Sequence, residues 1–138
     1  MPPSERTIAI VEDDASFRRA IERLLRASEF EAQTFTSAEE FLSSAAPELH
    51  ACLILDIHLP GMSGFELLDH LTASVVPPPA IFITAEDEDS VRQRASLIPN
   101  SVYLQKPFAG TVLLTAVRSL LNRGGSCEEE LRKMNPKH

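Results

Sequence analysis

Acids, a hydroxyl and an ammonium recur at comparable places along this chain. Glu12, Asp13 and Asp14 follow the apolar run TIAIV, and Asp56 follows ACLIL. Thr84 closes AIFIT, and Lys106, with Pro107 behind it, comes just past a short apolar run at 102–104. Oxygen-only donors of this kind suit a hard cation such as Mg²⁺ or Mn²⁺, which keeps several waters and takes few carboxylates. Carboxylates crowded without a cation raise one another's pKa values. A divalent ion and an ammonium would offset that crowding and leave one carboxylate oxygen able to attack a phosphoryl group. Such transfer needs mainly positioning and charge neutralisation. Each piece alone has a plainer reading: a solvated turn with a helix cap, a β-forming threonine, a surface lysine. Asp56 resists it, because a desolvated carboxylate at the end of an apolar strand is costly unless paired or metal-bound.

What brings these groups together is the order of elements. Thr7–Val11 is apolar and β-branched, as a buried strand requires. Ala15–Ala27 places Phe17, Ile21, Leu24 and Leu25 on one helical stripe, with Asp14 as N-cap. Glu31–Phe35 is a weaker strand, and Ser37 with Glu40 forms a capping-box pattern for a helix over 38–44. A strand at 51–55 leads through a Pro/Gly loop to a helix carrying Phe65, Leu67, Leu68 and Leu71, which Pro77–Pro79 end. Ala80–Thr84 is the fourth strand, 89–97 a helix closed by Pro99, 102–104 the fifth strand, and 111–122 the last helix, stopped by Gly124 and Gly125. Five βα repeats with near-continuous apolar strands predict an α/β fold, an open doubly wound five-stranded parallel sheet. In such sheets ligands bind at the carboxyl ends of the strands. All the reactive positions fall there.

Composition bounds the rest. The chain has 138 residues, 43% hydrophobic and 24% charged, which suits one soluble domain. No run approaches the roughly 18–20 apolar residues of a membrane span, and no secretory leader is visible, so a cytoplasmic setting away from membranes is expected. Cys52 lies in an apolar run and Cys127 in a polar stretch, which argues against a disulfide framework. A net charge of −7 argues against direct nucleic-acid binding by this chain.

IVEDD, LDIHLPGMSG, ITA and QKPF, in that order and spacing, resemble the signature of response-regulator receiver domains over roughly residues 5–122. TFTSAEEFL and LPGMSGFELL further resemble the FixJ-like branch. The resemblance implies a flavodoxin-like, CheY-like fold over 1–122, with 123–138 a polar tail or linker. It implies a regulatory phospho-acceptor rather than an enzyme, acting in two-component signalling. Asp56 would take a phosphoryl group from a sensor histidine kinase or phosphotransfer protein. Mg²⁺, or Mn²⁺, would be held by Asp13, Asp56 and the backbone carbonyl of His58, with Glu12 acting through water. Lys106 would pair with the phosphate, Thr84 and Tyr103 would form the switch, and the side chains of His58 and Glu86 would tune phosphate lifetime. The Lys106–Pro107 bond would be cis. A downstream protein or a second copy would bind across 89–122. Glu12 stands where aspartate is common, Gly61 replaces a frequent acid, and SLIPNSVY lacks the usual Gly-Ala pair, so the approach to the fifth strand should have its own shape.

Other classes fit less well. An aspartyl-nucleophile phosphatase generally has a second acid two residues after the nucleophile, where His58 stands, and it would turn over generic phosphate esters. A flavin or nucleotide binder would need a Gly/Ser/Thr-rich phosphate loop in place of EDD, and would purify yellow. A receiver that works without phosphorylation would not need this full set of residues. For output, a stand-alone receiver is expected. The alternative is the receiver portion of a FixJ-like DNA-binding regulator.

Overall fold

The computed structural model describes residues 7–44, 46–72, 77–85 and 88–134. Five strands alternate with five helices: β1 (Thr7–Val11), α1 (Ala15–Ala27), β2 (Glu31–Phe35), α2 (Ala38–Leu42), β3 (Cys52–Asp56), α3 (Gly64–Thr72), β4 (Ala80–Thr84), α4 (Asp89–Ser96), β5 (Ser101–Gln105) and α5 (Gly110–Met134). A 3-10 turn, Pro47–Leu49, precedes β3. All strand pairings are parallel, in the order β2-β1-β3-β4-β5. The α/β fold read from the repeats is therefore the one adopted.

The alternation of side chains across a strand decides the two halves of the core. Ala9, Val11, Leu53, Leu55 and Phe82 face one side, where Phe41 of α2, Leu67 of α3 and Ala95 of α4 cover them. Ile8, Ile10, Ile54, Ile81 and Ile83 face the other, under Ile21 and Leu25 of α1 and Leu113, Val117 and Leu120 of α5. Every residue of β1, β3 and β4 is buried, whereas the edge strands β2 and β5 are only partly covered. That is why β2 alternates weakly in sequence.

Local chemistry sets the helix starts. Asp14 Oδ1 accepts the amides of Ser16 and Phe17 at 3.0 and 3.2 Å, capping α1. Ser37 Oγ accepts the Glu40 amide at 3.1 Å, while the Glu40 carboxylate takes the amide of Thr36, one residue earlier than a capping box requires. Ser63 and Glu66 form the reciprocal pair at α3, at 3.1 and 3.0 Å. The end of α5 corrects the sequence reading, since the helix passes Gly124 and Gly125 and continues to Met134. Each interior glycine costs only about 1 kcal/mol relative to alanine, and the CEEELRK stretch that follows is rich in helix formers. The loop from α4 to β5 does have its own shape. Asn100 takes a left-handed φ of 56°, and the Ser101 hydroxyl donates to the carbonyls of Ala95 and Ile98 at 3.0 and 2.7 Å. Among the described residues, no helix is long and apolar enough to cross a membrane.

Candidate functional site: an acidic pocket at the carboxyl edge of the sheet

Strand order reverses between β1 and β3, and the carboxyl ends of those strands bracket the crevice where doubly wound sheets bind ligands. Glu12 leaves β1 with its amide donating to the Phe35 carbonyl at 3.0 Å, which extends the ladder one residue and keeps Glu12 buried. Asp13 is exposed at the rim. Asp56 ends β3, is 8% exposed, and accepts the His58 amide on Oδ1 at 2.9 Å. The three acids read in the first loop thus part company: one is buried, one faces solvent, and Asp14 caps α1.

The Lys106 ammonium lies 3.0 Å from Glu12 Oε1 and 3.7 Å from Asp56 Oδ2. Its own amide donates to the Thr84 carbonyl at 2.8 Å, which places the lysine beside the end of β4, and the Lys106–Pro107 bond is cis. Thr84 is fully buried at that end. Tyr103 stands opposite Phe82 on β5 and packs, half-buried, against the core layer under α2, α3 and α4. By strand alternation Thr84 and Tyr103 share that face. The structure therefore gathers Glu12, Asp13, Asp56, Thr84 and Lys106 at one edge. Glu86 lies outside the described residues.

Several contacts around the site were not legible in the sequence. The Arg18 guanidinium donates to the Glu12 carbonyl at 2.8 Å and pins the first loop. Gly64 sits where an added Cβ would meet the Asp56 carbonyl oxygen at 2.9 Å, so the approach of α3 to the end of β3 requires glycine. Gly61, which stands in place of a frequent acid in the loop after Asp56, has a φ of +83° that a side chain would strain. The His58 imidazole pairs with Glu88, with Nε2 and Oε1 3.1 Å apart, and this links the loop after β3 to the start of α4. Phe17, which reads as an ordinary core position on α1, lies with its ring under the Lys106 ammonium, 4.2 Å from its centroid.

Burial dominates the electrostatics of Glu12 and pushes its pKa up from 4.5 to about 7. The Asp14 amide and Lys106 pull it down, while the neighbouring Asp56 carboxyl pushes it up. Because the folded value exceeds the unfolded one, this group's stabilising contribution is fully present below pH 4.5 and is lost as pH rises through about 7. In chelator-treated protein, Glu12→Gln should flatten part of the fall in melting temperature between pH 4.5 and about pH 7. Parallel thermal melts of the two proteins check this.

One oxygen each from Glu12, Asp13 and Asp56 all lie within 4.8 Å of one another. Octahedral Mg²⁺, with bonds of about 2.0–2.1 Å, separates opposite ligands by about 4.2 Å, so the donor set fits with small side-chain adjustments. The description of the response regulator receiver domain matches residues 8–118. The chain belongs to that family.

The receiver is 36% identical over 125 residues to Nodulation protein W of Bradyrhizobium diazoefficiens, covering 91% of this chain and 55% of that protein. It is 30% identical over 121 residues to Transcriptional regulatory protein FixJ of Azorhizobium caulinodans, covering 88% and 57%. The chain spans about half the length of these curated relatives. Among solved structures, response regulator StyR matches with a TM-score of 0.80 and 37% identity, over 94% of this chain and 66% of that one. A response regulator receiver protein from Burkholderia phymatum matches at 0.72 and 38%, over 88% and 96%. Receivers are regulatory domains of two-component systems and bind Mg²⁺ at an acidic pocket, and a FixJ-like receiver agrees with the motifs read at the outset.

Proposed function

We propose that this receiver takes a phosphoryl group onto Asp56 from a phosphohistidine of a sensor kinase or phosphotransfer protein. The observation that carries the reading is the convergence of Asp56 with Glu12, Asp13 and Lys106 around one oxygen-lined pocket. An Asp56 carboxylate oxygen attacks phosphorus in line, the P–N bond of the donor breaks, and the imidazole leaves. The product is a mixed anhydride on Asp56. The His58 amide fixes Oδ1, which leaves Oδ2, on the Lys106 side, as the attacking atom. Lys106 then pairs with the phosphoryl oxygens as their charge grows. Asp13, Asp56 and the His58 carbonyl would hold Mg²⁺ directly, and Glu12 through water. When bound, the ion neutralises charge on the transferring phosphoryl group.

Once phosphorylated, the Thr84 hydroxyl donates to a phosphoryl oxygen, and Tyr103, on the same sheet face, repacks inward. This biases a pre-existing equilibrium toward the active form. The face that changes is α4, β5 and α5, where a downstream partner or a second copy binds. The exposed hydrophobics Leu97, at the end of α4, and Val112, on α5, lie within it. His58 and Glu86 set how fast the anhydride hydrolyses, and the chain catalyses no more than its own phosphorylation and dephosphorylation. It works in the cytoplasm. The printed name of the second relative, a transcriptional regulatory protein, and the coverage of about half of each curated relative favour a role as the receiver portion of a transcription regulator.

Incubation with acetyl phosphate and Mg²⁺ tests the core of this reading. Intact mass should show one added phosphoryl group, absent when EDTA is included. No uptake under either condition would contradict it.

A further inference from the structure

A lysine ammonium ends a flexible four-carbon stem and is strongly hydrated, so it does not stay aimed at one point without help. Lys106 is only about one-fifth exposed, and among the described residues its ammonium has as neighbours Glu12 Oε1 at 3.0 Å, Asp56 Oδ2 at 3.7 Å, and the face of Phe17 at 4.2 Å from the ring centroid. The ring is braced from two directions. The Phe17 amide is held by the Asp14 cap at 3.2 Å, and Phe108 packs edge-on against the ring, with centroids 5.8 Å apart at 82°. Phe108 lies two residues beyond Lys106, so the segment that carries the ammonium also braces the ring beneath it. An aromatic face attracts a cation through its quadrupole at this separation, and more strongly where water is excluded.

We propose that Phe17 is a positioning residue that holds the Lys106 ammonium toward Asp56, so that it meets the phosphoryl oxygens as their charge develops. This rests on the reading of Asp56 as acceptor and Lys106 as its cationic partner. The carboxylates alone would leave the ammonium free to swing toward solvent, and the ring face 4.2 Å from it adds a contact that such a swing would lose. The ring adds no bond to the substrate. Its effect is to keep the ammonium in place before the donor arrives, so its loss should appear in the transfer rate at saturating donor rather than in donor affinity.

The experiment uses the whole chain with Phe17→Leu, which keeps an apolar side chain but removes the aromatic face, and Phe17→Tyr, which keeps the face. At saturating acetyl phosphate with Mg²⁺, Phe17→Leu should slow phosphorylation about three- to thirtyfold, equivalent to about 0.6–2 kcal/mol at 1.36 kcal/mol per factor of ten. Phe17→Tyr should stay within about twofold, and the apparent KM should change little in either. By NMR, the Lys106 methylene protons next to the ammonium should be shifted upfield by the ring in the unaltered protein and in Phe17→Tyr, and not in Phe17→Leu. A highly fluorinated phenylalanine at position 17 keeps the shape while removing the attraction, and covers the case in which the leucine variant misfolds; it should slow transfer as the leucine does. The inference is overturned if the leucine and fluorinated variants keep the full rate, if tyrosine falls as far as leucine, or if Lys106 shows no ring shift in the unaltered protein. If the unaltered protein takes no phosphoryl group although the ring shift is present, the acceptor reading fails and this role for Phe17 fails with it.

Discussion

Asp56→Asn should reduce phosphoryl uptake by a factor of at least about 10³ while leaving the folded protein at least as stable as before. The amide cannot serve as the attacking group, so no anhydride forms. The fold has no reason to suffer. An asparagine carbonyl can still accept the His58 amide now bound by Oδ1 at 2.9 Å, and Lys106 keeps its nearer partner, Glu12, at 3.0 Å. Removing the charge also relieves the buried Glu12, whose carboxyl is pushed up partly by Asp56. Intact mass after acetyl phosphate treatment gives the first result and urea denaturation the second. The pairing of the two is the informative part, because a variant that lost uptake by unfolding would lose both.

Phe82→Ala should remove about 3–5 kcal/mol of stability. Phe82 is fully buried in β4, opposite Leu55 of β3 and Tyr103 of β5, and its ring lies 4.8 Å from that of Phe65 on α3. The backbone around the ring has little freedom to close on the space, since the strands on both sides are fixed by the ladder and α3 is pinned by the close approach of Gly64 to the Asp56 carbonyl. Against a total of about 5–15 kcal/mol for a domain of this size, that loss is a large fraction. The midpoint of urea unfolding measures it, and an unchanged midpoint would mean that this layer of the core is not packed as described. Because β4 also carries Thr84, the same variant should weaken the response to phosphorylation.

How much of this was readable before the structure differs by element. β1, β3 and β4 declared themselves because burial on both faces leaves no room for polar residues. The acids after β1, Asp56 and Lys106 were legible because the rule for doubly wound sheets turns strand ends into neighbours, which is how Lys106 meets Glu12 across 94 positions. Phe17 was hidden by its own periodicity: an apolar residue on an amphipathic helix looks the same whether it faces the core or a cation. The link from His58 to Glu88 joins two loops 30 positions apart, and no local pattern encodes that distance. Gly64 could have been suspected from its place before the α3 stripe, but its reason, a backbone carbonyl within 2.9 Å of where a side chain would begin, exists only in three dimensions. The run of α5 past two glycines shows the opposite failure, in which a strong local stop signal was outweighed by the helix formers beyond it.

The most direct test of the central claim is chemical trapping of the phosphorylated site. Protein treated with acetyl phosphate and Mg²⁺ is reduced with borohydride, which converts an aspartyl phosphate to the corresponding alcohol, and its peptides are mapped by mass. Conversion is expected at Asp56 alone, within the peptide that contains ACLILD. Conversion at Asp13, or phosphate uptake with no reducible aspartate anywhere, would contradict it.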